Sequence, residues 1–500
     1  MIPEPRPPLR RVTVERDTRL DDYAAVAHLA GAVSDLRLET RAVVSRLADR
    51  TIWMVSSTSR GGGVAEMLPP AVALLRDVGL RVEWLVIGSE DPAFFALTKR
   101  IHNLIHGSGD PTLGDADRTL YERVNRENAA ALGELLRTGD ILIVHDPQPL
   151  AIVTQLSHPP PIITVWRSHI GLDVENAATR AAWDFLGPYL DAYDEAVFSA
   201  PEYIPGRLAG RATVIFPGID PLAPKNRELS LRHAVEVLCS GGVIPCPGPT
   251  VGERYLAQAQ RVAADGTWAP AGATDIGLLT RPIVTQISRW DRLKGFLPLL
   301  EGFVLLKRLV HEGEYEGAPL DRRRLELVRL VLAGPDPLAI QDDPEAREVL
   351  DELRGAYRAL APGVRDDVAI LLLPMHSVEE NALMVNAIQR ASTVVAQNSL
   401  REGFGLTIAE AMWKRIPVLS NSRAVGPRQQ LRDRLDGRLI ADPEDRRELC
   451  GALREMLEDP VQLERWGQAA QRQVHEQFLV LSQLRTWGRL LLTLAERKGG

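Results

Sequence analysis

The chain reads as an α/β protein built from two doubly wound domains, and three observations predict this. Short apolar runs alternate with amphipathic helical stretches along most of the 500 residues, the alternation that builds βαβ units. Many of the apolar runs are continuous, as in parallel strands buried on both faces. The length exceeds what one hydrophobic core usually spans, so the series is expected to divide in two.

Taken in order, residues 1–17 open with Met-Ile-Pro-Glu-Pro-Arg-Pro-Pro and are expected to form a disordered tail. A first domain over 18–220 carries strands at Ile52–Ser56, Arg81–Ile87, Ile141–His145, Ile162–Trp166, Glu195–Ser199 and Ala212–Phe216. Pro69-Pro70 is expected to break or restart the first helix. Residues 221–281 are dense in turn formers, including Pro245-Cys246-Pro247-Gly248-Pro249, and read as an irregular linker or insertion. A second domain over 282–480 carries strands at Ile283–Ser288, Leu327–Ala333, Val368–Leu373, Thr393–Gln397, Pro417–Ser420 and Arg438–Ile440. A last helix, about Leu481–Arg497, closes the chain and could pack back on the first domain. No internal repeat or heptad pattern is visible.

Composition narrows the function. Hydrophobic residues at 45% and charged residues at 25% describe a globular protein. The net charge of -7 argues against nucleic acid and anionic membrane as partners. Cys239, Cys246 and Cys450 are too few for a disulfide framework and lack the spacing of a zinc site, which points to a reducing, cytoplasmic setting. The N-terminus has no apolar core of the signal-peptide kind, and no window approaches a membrane span.

The segment from Glu402 through Gly403, Phe404, Gly405 and Leu406 to Glu410 is the most informative. Two carboxylates flank a loop that becomes a helix over Leu406–Trp413. Gly403 and Gly405 allow close backbone approach, and the helix N-terminus attracts phosphate. Carboxylates accept hydrogen bonds from hydroxyls. Phosphates and hydroxyls together describe a sugar nucleotide. The plain alternative is a helix cap, because Thr407 and Glu410 have capping-box spacing. Arg289 and Lys294 follow the strand Ile283–Ser288, where α/β sheets bind ligands, and two cations there would suit a diphosphate. A glycine run, Gly61-Gly62-Gly63, follows the first strand without being a dinucleotide fingerprint or a P-loop. His145-Asp146-Pro147-Gln148 and Trp166-Arg167-Ser168-His169 end adjacent strands, and their histidines could bind sugar hydroxyls or move a proton. No D-x-D follows a strand, so no metal is expected at a leaving phosphate.

These residues resemble the retaining glycosyltransferases of the GT-B fold, with two Rossmann-like domains facing across a cleft. Within them the chain is most similar to the trehalose glycosyltransferring synthases and retaining trehalose phosphorylases, over about residues 18–490. The similarity rests on Gly61–Met67, Thr98–Asn103, Val144–Pro149, Trp166–Ile170, Pro217–Leu222, Ser288–Asp291 and Glu402 through Lys414. It implies that Glu410 binds a nucleotide ribose and Glu402 the donor sugar. Arg289 and Lys294 would hold the diphosphate, and Gly62 and Gly63 would approach the donor. His145, Asp146, Gln148, Arg167 and His169 would line the acceptor side. Arg289, Lys294, Glu402 and His145 are the implied catalytic set, with Gly403, Phe404, Gly405 and Leu406 completing the donor site. Ser168, Gly171 and Asn398 depart from the family's usual Cys, Asp and Lys. The implied activity is transfer of α-glucose from a nucleoside diphosphate onto glucose, giving α,α-trehalose, with no cofactor. The implied partners are the nucleotide sugar and a small sugar, and a homodimer is compatible with the sequence. A phosphorylase, or a silent sugar-nucleotide binding protein on the same fold, stays open at this point.

Overall fold

The computed structural model describes residues 8–15, 18–59, 63–246, 248, 252–337 and 344–499. The chain forms two compact units, one of Met1–Asp220 with Gln477–Gly500 and one of Pro221–Glu476.

The first unit is built on strands β1 (Leu9–Arg11), β2 (Thr51–Ser56), β3 (Arg81–Ile87), β4 (Ile141–His145), β5 (Ile163–Ser168), β6 (Glu195–Phe198) and β7 (Ala212–Val214). Their order is β1-β3-β2-β4-β5-β6-β7. Every pairing is parallel except β1 with β3. All five residues of β4 are buried, as a central parallel strand requires. β1 lies within the segment expected to be a disordered tail. Leu9 pairs with Ile87, so edge pairing overrides a proline-rich composition there. The C-terminal helix Val480–Gly499 also belongs to this unit. It packs on the helix Ala30–Leu47, and Arg485 ion-pairs with Glu39.

The helix Gly63–Asp77 runs through Pro69 and Pro70 without a break, against expectation. Each interior proline costs a helix about 3 kcal/mol. Leu68, Ala71, Val72, Leu74 and Leu75 are all buried on this helix, and about 1.5–3 kcal/mol per large apolar side chain offsets that cost.

The second unit holds β8 (Gln260–Val262), β9 (Trp268–Pro270), β10 (Ile283–Ile287), β11 (Arg329–Pro335), β12 (Val368–Leu373), β13 (Val394–Ala396), β14 (Val418–Asn421) and β15 (Gly437–Ile440). The order is β15-β14-β13-β10-β11-β12-β8-β9, parallel from β15 to β12. β8 and β9 add an antiparallel edge. Residues 221–281 are therefore not simply irregular. Besides this hairpin they form the helix Leu231–Ser240, capped by Ser230 Oγ, which accepts from the His233 amide. Ala234, Val237 and Leu238 on that helix join Met384, Ala387 and Ile388 in one core. Dense proline and glycine hid these short elements, whose stability comes from tertiary contact.

Candidate functional site

In each sheet, consecutive strands first add to one side and then to the other. In the second unit the reversal falls between β10 and β13, and in the first between β2 and β4. Open α/β sheets bind ligands beyond the strand ends at such a point. Both groups of expected site residues stand there.

In the second unit, β10 leads into Arg289 and the turn Arg292–Lys294, and β13 leads into Gln397–Glu402. Gly295 closes the first turn at φ 62°, and a Cβ there would lie 2.2 Å from the Asn398 carbonyl oxygen. Only glycine permits both the backbone conformation and the contact. Gln286 fixes the two loops together: its Nε2 donates to the Lys294 carbonyl at 2.7 Å, and its Oε1 accepts from the Asn398 amide at 3.1 Å. Lys294 Nζ thereby meets Glu402 Oε2 at 2.6 Å. The same oxygen accepts from Ser399 Oγ at 3.0 Å and Gln397 Nε2 at 3.2 Å. Burial pushes the Glu402 carboxyl up, but the Lys294 charge and these donors outweigh it and hold the group below its ordinary range. Arg289 is exposed and has no ion-pair partner among the described residues.

Gly405, at φ 82°, opens the helix Leu406–Trp413. No side chain caps it, so the Thr407–Glu410 capping box is not formed. The Phe404 ring is buried in the protein, which leaves only its backbone for a ligand. Gly403 and Leu406 stay half-buried at the rim of the loop. Glu410 lies inside the helix, only 4% exposed, with Lys225 Nζ 3.5 Å from its Oε1. Lys414 Nζ donates to the Glu410 carbonyl at 3.0 Å and to Asn226 Oδ1 at 3.3 Å. Burial draws the Lys414 ammonium down to about 7, although the Glu410 charge opposes this.

In the first unit, Asp146 adopts φ 64° at the end of β4, a left-handed conformation that Asp tolerates better than most residues. Its Oδ1 accepts from the His169 amide at 2.8 Å, tying the ends of β4 and β5 together. His145 Nδ1 and His169 Nε2 then stand 3.1 Å apart, with the rings stacked. Arg167 belongs to β5. It is fully buried and donates to the Phe198 carbonyl at 2.9 Å and Ser199 Oγ at 3.3 Å. Both histidines and Arg167 border a cavity of about 30 Å³ that Met54, Met67 and Trp487 also line. His145 Nε2, His169 Nδ1 and Gln148 Oε1 are buried without a hydrogen-bond partner among the described residues. Burial and the Arg167 charge lower the His145 imidazole to about 3 and take His169 well below its usual range, so both rings are neutral near pH 7. Burial raises the Asp146 carboxyl to about 6 and lowers Arg167 to about 9, which leaves the guanidinium charged at neutral pH. Gly63 begins the helix that overlies this cavity. Gly62 lies outside the described residues.

Sequence reasoning missed the groups that hold this machinery in place. Gln286, Gln397 and Ser399 sit at strand ends where ligands bind, a positional signal that could have found them. Lys225 and Asn226 carry no local signal at all. Among the described residues, no group of three or more His, Cys, Asp or Glu is placed to hold a metal ion. No helix among them is long and apolar enough to cross a membrane.

Residues 54–205 match the family model "Trehalose synthase, N-terminal domain", and residues 278–473 match "Glycosyl transferases group 1". A trehalose synthase of Pyrococcus horikoshii is 32% identical over 479 residues, covering 95% of this chain and 96% of that protein. The chain belongs to the trehalose synthase family. A second trehalose synthase, from Rubrobacter xylanophilus, is 33% identical over 478 residues, covering 95% of this chain and 97% of its own. The α,α-trehalose 6-phosphate synthase of Burkholderia multivorans superposes with a TM-score of 0.62 at 18% identity, over 90% of this chain and 98% of the other. That likeness establishes the GT-B fold. The protein is thus a trehalose-related hexosyltransferase of the group 1 glycosyltransferases.

Proposed function

We propose that the protein transfers an α-glucosyl unit from a nucleoside diphosphate glucose onto glucose, with retention, to give α,α-trehalose. The observation that carries this reading is the Lys294–Glu402 pair at the switch point of the second sheet, 2.6 Å apart and ahead of a helix N-terminus. It sets a cation for a leaving diphosphate beside a carboxylate for a sugar hydroxyl. Relatives of similar length that are named trehalose synthase support the same reaction.

Lys294, the exposed Arg289 and the amides opening the Leu406–Trp413 helix would take up charge as the glycosidic bond breaks. The departing phosphate oxygen would accept the acceptor's proton on the face where the new bond forms, which retains configuration. Glu402 would orient the donor sugar. His145 and His169, neutral and joined to each other, would offer one donor and one acceptor nitrogen to the acceptor sugar. Glu410 would accept from the ribose of the donor.

Incubation with ADP-, UDP- and GDP-glucose plus glucose tests the reading. NMR of the product is expected to show only the α,α linkage; a β-linked product, or no transfer from any of the three, overturns it. Adding inorganic phosphate to trehalose separates this reaction from phosphorolysis. The transfer is also expected to persist in EDTA, because cationic side chains and amides provide the phosphate site. Loss of activity in EDTA with recovery on magnesium or manganese would contradict that arrangement.

A further inference from the structure

The N-terminal ends of β10, β11 and β12 gather positive charge, at the edge of the second sheet opposite the loops that carry Lys294 and Glu402. Arg329 opens β11, and its amide donates to the Pro282 carbonyl at 2.9 Å, which brings Arg281 alongside just ahead of β10. Asp367 precedes β12, and its carbonyl accepts from the Leu330 amide at 2.9 Å. Arg261 reaches the same end from β8: Nη2 donates to the Val368 carbonyl at 3.3 Å and Nη1 to Thr274 Oγ1 at 3.2 Å. Lys307 enters from the helix Phe296–His311 and meets Asp367 Oδ2 at 2.7 Å.

The carboxylates at this edge do not balance the cations. Asp367 is shared, because Arg329 Nε lies 3.6 Å from its other oxygen while Lys307 holds the first. That Nε is buried and has no hydrogen-bond acceptor among the described residues. Asp275 acts on Arg329 by charge, and its Oδ1 already accepts from the Gly277 amide at 2.7 Å. Arg261 bonds only neutral oxygens. Arg281 is half-buried, with neither an ion pair nor a hydrogen bond among the described residues. Packing sets its course: a Cβ at Gly277, where φ is 75°, would lie 2.9 Å from Arg281 Cδ. Burial and then the Arg281 charge draw the Arg329 guanidinium below its ordinary range. Four cations thus stand against two carboxylates. Like charges crowded together and partly withdrawn from water cost stability unless a counter-ion joins them.

We infer that this cluster is a binding site for a phosphoryl dianion, held chiefly by Arg281 with Arg261 and Arg329 beside it. The excess of cations matches two negative charges. A guanidinium fork suits phosphate oxygens, and the donors of Arg281 are all unspent. The site is independent of the donor loops, from which it is separated by the length of the strands.

The test is calorimetry on the whole chain with inorganic phosphate, glycerol 3-phosphate and chloride. Wild type is expected to bind phosphate or the monoester, and Arg281→Leu to weaken that binding about tenfold or more, as loss of a charge-assisted hydrogen bond requires. Tighter binding of phosphate assigns the site to the free ion, and tighter binding of glycerol 3-phosphate assigns it to a phosphate monoester. Wild type that binds neither overturns the proposal. Unchanged binding in a folded Arg281→Leu variant also overturns it, and places the anion elsewhere, as at the donor loops. So does phosphate binding no tighter than chloride at equal ionic strength, which charge screening alone would produce. Arg261→Leu carries the same comparison should the first variant not fold.

Discussion

Lys294→Ala is expected to lower turnover about 10²-fold, with a smaller effect on donor affinity. In the proposed reaction, charge on the diphosphate would grow as the glycosidic bond breaks, so a cation there would act mostly in the transition state. The same change is expected to cost about 3–5 kcal/mol of stability near neutral pH, because it leaves a buried carboxylate without its counter-charge. Glu402 and Lys294 are 14% and 15% exposed at the side chain, so solvent screens the pair only weakly. The pH dependence gives a second readout. In the wild type the Glu402 carboxyl is held below its usual 4.5. Its contribution is present above that value and is lost as pH falls through the lower, folded value. Without Lys294 the burial that opposes ionisation is less opposed, and the carboxyl rises. The folded variant then binds a proton that the unfolded chain lacks, so its deficit should shrink on acidification. Urea unfolding at pH 5 and pH 8 checks this. A deficit that grows at pH 5, or wild-type turnover with only a raised KM, would contradict the assignment.

The sequence revealed the parts of this molecule that depend on local pattern. The helix Leu406–Trp413 was readable from the glycine before it and the apolar run within it, and the structure ends it at those same residues. The central strands were readable because burial on both faces leaves continuous apolar runs. Elements stabilised mainly from a distance were not. β1 exists because Leu9–Arg11 pairs with Leu85–Ile87, and nothing within Leu-Arg-Arg announces an edge strand. The helix Leu231–Ser240 lies among prolines and glycines that outweighed its apolar face. The site divides in the same way. Glu402 and Lys294 were found from strand-end position and residue type. Gln286 was not, because an uncharged amide at the end of a buried strand looks like any other polar terminus. Its two bonds join loops more than a hundred residues apart in sequence. The burial of Arg167 was hidden for a related reason. Strand alternation tells which face a side chain leaves from, but not whether the chain beyond it covers that face, as Phe198 and Ser199 do here.

Arg167→Met is expected to destabilise the first unit by about 3 kcal/mol at pH 8, and by less at pH 5. The guanidinium is fully buried, so the variant strips a donor from the Phe198 carbonyl and from Ser199 Oγ. It also removes the positive charge that acts on Asp146, His145 and His169. The sign for each group can be worked out. In the wild type both histidines resist protonation far below the usual 6.5. The unfolded chain then binds more protons below pH 6.5, and stability falls with acidification. Asp146, raised to about 6, works the other way, because the folded state takes up its proton first between pH 6 and the ordinary carboxylate range. With two histidines against one carboxyl, the wild type should lose stability from pH 6.5 downward. Removing Arg167 shifts this balance without abolishing it, because burial is the larger cause of both histidine shifts. The histidines become easier to protonate, which weakens their acid penalty, while Asp146 rises further and favours the folded state at low pH more strongly. Paired urea titrations of wild type and variant at pH 5 and pH 8 should therefore show curves that converge at the lower pH. A difference that is equal at both values, or larger at pH 5, would mean that Arg167 acts through its hydrogen bonds alone and does not set the charge state of the histidine pair.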